Sequence, residues 1–109
     1  MAESKTAAKE YIHESLKHLE KKLVLVEWED SCQPISDWVL FSEKMGIDVA
    51  EVKSVGWLLK YTERTVVLVP NVGNSKKDNA QGSGVIHIPM SAVIKVSAIA
   101  DKEASYCDL

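Results

Sequence analysis

The sequence predicts a mainly β fold: a small five-stranded antiparallel barrel preceded by one N-terminal α-helix. Two observations carry this. Residues 54–61, 65–70 and 84–99 read as consecutive strands of one small β-structure. The last stretch is interrupted once. Pro89 withdraws a ladder donor and fixes φ, Met90-Ser91-Ala92 leaves room for a single tight turn, and a new strand begins at Val93. Strand, turn, strand is how a small closed barrel carries its last two strands around a corner.

The elements follow in order. Residues 4–22 form the helix, because Ala8, Ile12, Leu16, Leu19 and Leu23 recur at three- and four-residue spacing, with Tyr11 beside the stripe. Ser4 or Thr6 can cap its free N–H groups. The first strand is residues 23–29, with Val24, Val26 and Trp28 on the core face, since the alternate set ends in Glu27. A long connection, residues 30–53, follows. It is punctuated by Pro34, Asp37, Gly46 and Asp48, and Asp48 with Glu51 resembles a capping box for one helical turn.

The second strand repeats with period two in Val55, Trp57, Leu59 and Tyr61, and Gly56 allows a bend or a close backbone approach. Thr62-Glu63-Arg64 makes a hairpin to the third strand. Residues 71–83 read as a flexible glycine-, asparagine- and lysine-rich loop. The expected buried set is Val24, Val26, Trp57, Leu59, Val67, Val69, Ile86, Ile88 and Ile94. The organisation is thus helix 1–22, barrel 23–100 and a flexible tail 101–109.

Composition bounds the function. A chain of 109 residues holds one core. Its net charge of −3 lacks the basic surplus of a duplex-binding protein. No apolar run approaches the length of a membrane span, and the polar N-terminus is unlike a signal peptide. Cys32 and Cys107 form neither a CxxC pair nor a disulfide framework, which points to a reducing, cytoplasmic setting.

Catalytic and metal motifs are weak. His13-Glu14 and His18 miss the HExxH zinc spacing by one residue, which puts the histidines on different helix faces. Ser31 and Cys32 follow Glu27, Glu29 and Asp30, and carboxylates raise a thiol's pKa instead of activating it. No phosphate-cradling glycine loop leads into a helix. The expectation is therefore a non-enzymatic protein with no metal and no cofactor. Its binding surface is expected at Asp30, Ser31 and Trp38 in the first connection, together with Lys76 and Lys77 in the glycine-rich loop. Trp38 offers a stacking face, or else anchors its loop, and the lysines offer charge to a phosphate or acidic group.

The layout Val26-Glu27-Trp28-Glu29-Asp30-Ser31, then Trp38, then Ser54-Val55-Gly56-Trp57-Leu58-Leu59, then Ile88-Pro89 and Ile94-Lys95-Val96 resembles a family of small uncharacterised bacteriophage and prophage proteins. The resemblance covers about residues 23–99, with Asp37 before Trp38 where glycine is usual. It implies phage origin and work in a bacterial host cell. The barrel is also distantly similar to Src-homology-3 and Sm-like proteins, although the characteristic Sm second-motif residues are missing. Three partner classes follow: a host protein bound by a homo-oligomer, single-stranded RNA bound by an Sm-like ring, or a small nucleotide signal sequestered between subunits.

Overall fold

The computed structural model describes residues 12–32, 34, 36–42, 46 and 48–99. The proposed caps Ser4 and Thr6, the first part of the helical stripe, Cys107 and the tail all lie outside the described residues.

Residues 12–17 are helical (α1) and residues 18–21 form a turn. Ile12 and Leu16, four apart on one face, are buried in the core, and Leu19 packs against it. Lys21 ends the turn in the left-handed region at φ 67°, where glycine is the usual stop. That kink lets the Lys21 N–H donate to the Leu58 carbonyl at 2.6 Å, while the Leu58 N–H donates to the Lys22 carbonyl at 2.9 Å. The chain is already paired with the sheet before its first strand begins.

The strands are β1 (Leu23–Asp30), β2 (Ala50–Tyr61), β3 (Thr65–Val69), β4 (Asn71–Gly73), β5 (Gln81–Ser83), β6 (Ile86–Pro89) and β7 (Val93–Ala98). Five of them form one antiparallel sheet in the order β6-β3-β2-β1-β7. The expected break stands where the sequence puts it: β6 ends at Pro89, Met90–Ala92 is a single 3-10 turn, and β7 starts at Val93. The Met90 N–H donates to the Arg64 carbonyl at 2.8 Å, which holds the corner against the β2–β3 turn.

The two edge strands are therefore joined by three residues, and the sheet must bend to bring them together. Its long strand makes the bend. Residues 50–57 of β2 pair with β1, whereas Trp57 to Tyr61 pair with β3. The two halves meet at Trp57. Just before it, Gly56 lies against the β3 backbone, and a Cβ there would stand 3.2 Å from the Val69 carbonyl carbon and oxygen. The close approach expected at Gly56 is present.

The expected closed barrel is not. β6 and β7 are not hydrogen-bonded to each other. Pro89 has no N–H to give such a ladder, and the Met90 N–H is spent on Arg64.

The core set needs correction too. Val24, Val26, Trp28, Val67, Val69 and Ile88 are buried, and Ile86 is half-buried against the core. Trp57 and Leu59 are only half-buried, because β2 turns Gly56 and Leu58 inward instead. A register shift between Leu58 and Lys60 leaves Leu59 as an extra residue opposite β3 and reverses the alternation, so Tyr61 packs on the core again. Ile94 is exposed for the same kind of reason. A shift opposite Glu27/Trp28 makes it the extra residue of β7, and Val93 takes the core position.

Two loops also differ from expectation. Ala50 and Glu51 begin a strand, so the Asp48–Glu51 capping box forms no helical turn. Residues 71–83 are not a featureless loop but a small hairpin, β4–β5, in which the Asn71 side-chain amide donates to the Ser83 carbonyl at 3.3 Å.

Candidate docking surface

Alternation along β1 and β2 sends Val24, Val26 and Leu58 into the core and leaves Leu23, Leu25, Val55 and Trp57 on the outer face. Cross-strand register then assembles them. Leu25 lies opposite Val55, and Leu23 opposite Trp57, which in turn faces Val69 of β3. Residues paired across strands share a face, so these five side chains form a continuous apolar row across three strands. One step along, Glu27 lies opposite Lys53 with 3.9 Å between their charged atoms, and the row ends in an ordinary solvated pair.

Toward β3 the row runs into a cavity. The β4–β5 hairpin folds over the outer face, with Gly82 directly on the Val69 side chain; a Cβ at Gly82 would collide with it. Between hairpin and sheet lies a space of about 200 Å³ lined by Leu59, Val69, Val72, Ala80, Gln81, Gly82 and Val85. Gln81 supplies its single polar side chain. Such a lining can desolvate an apolar group and offers one amide to orient it. Among the described residues it holds no ionisable side chain.

The residues singled out in the sequence fall elsewhere. Asp30 ends β1, and its carboxylate accepts a hydrogen bond from the Ser31 N–H at 2.8 Å, a local turn contact. Trp38 stands in solvent, 104% exposed, and so anchors nothing in this structure. Leu40 and Phe41 beside it are 86% and 95% exposed. Lys76 and Lys77 lie in the turn between β4 and β5, where the Lys77 N–H donates to the Asn74 carbonyl at 3.0 Å. Among the described residues, no hydrogen bond or ion pair joins these lysines to Asp30, Ser31 or Trp38. Sequence reasoning missed the outer row because it assigned Trp57 and Leu59 to the core. The signal was there in Leu23 and Leu25, which alternate with the core set of β1 and are as apolar as it is.

A shallower depression lies at the β2–β3 turn, lined by Thr62, Arg64, Thr65, His87 and Pro89. Its Thr62 hydroxyl oxygen is already engaged, accepting from the Arg64 and Thr65 N–H groups at 3.1 Å each. Among the described residues no three His, Cys, Asp or Glu side chains converge as a metal site would require, and no helix is long and apolar enough to cross a membrane. Cys32 is an exposed free thiol. Comparison with protein-family models, with curated proteins and with solved structures found no match.

Proposed function

We propose that the chain is a non-enzymatic binding module of the small SH3-like barrel type, which takes a protein partner on the outer face of its sheet. The observation that carries this is the row Leu25, Val55, Leu23, Trp57 and Val69 leading into the cavity under the β4–β5 hairpin. A fold needs one apolar sheet face for its core; a second one that is only partly covered, with Val55 exposed, Leu23, Leu25 and Trp57 half-buried and Val69 closed off by the hairpin, suits an interaction surface. Strand order and the single-turn corner at Pro89 support the barrel type. The phage resemblance supports a partner in a bacterial host cell, and the exposed thiol of Cys32 fits a reducing cytoplasm. Apolar surface and two sheet edges, β6 and β7, that no strand pairs with among the described residues favour work as an oligomer.

RNA and nucleotide ligands draw less support from this site. Phosphates want cations or clustered N–H donors, and Gln81 is the only polar side chain in the lining.

The test uses a displayed library of short random peptides selected on the immobilised protein. Selected sequences should be rich in aliphatic and aromatic residues. Their binding should fall roughly tenfold or more in a Leu25→Lys, Val55→Glu variant, as for loss of a central apolar contact. The introduced charges are opposite in sign across the strands, with the order of the neighbouring Glu27–Lys53 pair reversed, so the sheet keeps its pairing and a cooperative melt serves as the control. Peptides that bind this variant as well as the parent would overturn the reading.

A further inference from the structure

We infer that the cavity beneath the β4–β5 hairpin receives an aromatic side chain from the Trp38–Phe41 segment of a second copy of this chain. The inference rests on the outer face being a protein-binding surface, and it names a second copy as an occupant of that face's cavity.

The cavity fits the guest. An apolar protein cavity of about 150 Å³ stays dry and takes up benzene. At about 200 Å³, this one has room for the ring of a phenylalanine or tryptophan. Its walls are largely side chains of Leu59, Val69, Val72 and Val85, with Gln81 as the one polar side chain among the described lining residues.

The chain carries such a guest with no host. Trp38-Val39-Leu40-Phe41 is a run of four apolar residues on the exposed connection between β1 and β2, with Trp38 and Phe41 wholly or nearly wholly in water. A run of that kind on a soluble surface is a fault unless it is a contact. The same chain's cavity does not take it, because both rings are free in solvent while the cavity stands open. The donor is therefore assigned to another copy.

Charge points the same way. Asp37 directly precedes Trp38, and Glu29 and Asp30 sit where the connection leaves the sheet. The hairpin that roofs the cavity carries Lys76 and Lys77 in its turn, offset in part by Asp78. An incoming acidic segment meets a basic roof, which steers encounter and sets orientation. Donor and acceptor are different surfaces, so the contact is head-to-tail, and an open assembly keeps one free donor and one free acceptor at its two ends until a ring closes.

This asymmetry gives a decisive experiment. A Trp38→Ala, Phe41→Ala variant loses its donor and keeps its cavity. An Ala80→Phe variant fills its own cavity and keeps its donor. In sedimentation equilibrium, the wild-type mass should rise with concentration beyond a dimer. Each variant alone should associate roughly tenfold or more weakly. Their equimolar mixture should recover association and stop at a 1:1 dimer, since only one donor–acceptor pair remains. A synthetic peptide of residues 36–42 should lower the wild-type mass, a check that needs no variant to fold.

A wild-type mass fixed at the monomer, variants that associate like wild type, or a mixture that stays monomeric would each overturn the inference. Were library peptides still lost in the Leu25→Lys, Val55→Glu variant, the outer-face reading would stand without it. Loss of that peptide effect would remove the outer-face reading itself.

Discussion

Leu58→Ala and Leu59→Ala should separate cleanly in stability, because neighbouring residues of β2 face opposite sides of the sheet. Leu58 is fully buried, in a core with Val24, Val66, Leu68 and Ile88. Truncating it removes three carbon groups, about 2.4 kcal/mol at about 0.8 each. The void left behind adds to this, so the expected loss is about 3–4 kcal/mol, within the range for buried leucines. Leu59 is half-buried and already borders open space. With about half the transfer energy at stake and little new void, its loss is about 1 kcal/mol. The difference of about 2–3 kcal/mol corresponds to roughly 10–15 °C in Tm for a domain of this size. Urea unfolding followed by tryptophan fluorescence would measure it, provided the m-value is unchanged between variants. Equal losses, or a larger loss for Leu59→Ala, would mean that β2 presents the opposite face to the core, and the outer row would no longer exist.

Two other expectations concern the bend and the helix. Gly56→Ala should destabilise by about 1–3 kcal/mol, the scale of overpacking, because its methyl would press on backbone atoms of Val69 that cannot swing aside; a neutral effect in the same unfolding assay would show that the two halves of the sheet are not in close contact there. In α1 the Lys17 ammonium hydrogen-bonds the Glu14 carboxylate at 2.9 Å and, with its charge, holds that carboxyl below its ordinary pKa. A carboxyl lowered in this way contributes stability above its unfolded pKa and loses it as pH falls through the folded value. Both groups are exposed, so the effect is small and screened by salt. An NMR titration should find the Glu14 pKa depressed and returned to the ordinary range in Lys17→Met; an unchanged value would dissolve the pair.

Much of the fold was legible because punctuation residues leave few options. Pro89 fixed the corner between β6 and β7, Gly56 the close approach, and Val24, Val26 and Trp28 the inward face of β1. The face of β2 was not legible. Val55, Trp57, Leu59 and Tyr61 keep perfect period two, but the extra residue at Leu59 reverses the alternation part-way, so the first three face out and Tyr61 faces in. A bulge leaves no mark in a run whose residues are apolar on both sides. Ile94 was misplaced by the same device in β7. The β4–β5 hairpin was hidden for another reason: its strands are three residues each, too short for any periodic signal.

The proposed docking surface was hard to read because its residues are as apolar as those of the core. On β1 the outward residues are Leu23, Leu25, Glu27 and Glu29, so polarity returns only beyond Leu25. On β2 it returns at Lys53, opposite Glu27. The apolar outer row is therefore confined to the part of the sheet nearest the hairpin. Stability does not require it there. Leu16, Leu58, Leu68 and Ile88 already fill the inner face, and outward-facing leucine and valine gain little while water still reaches them. Polar substitutions at Leu25 and Val55 would leave that inner core untouched. An apolar row that the fold does not need, ending at a cavity whose size matches one aromatic ring, is better matched to association than to folding. In the proposed association, the exposed rings of Trp38 and Phe41 would supply that ring from a neighbouring copy.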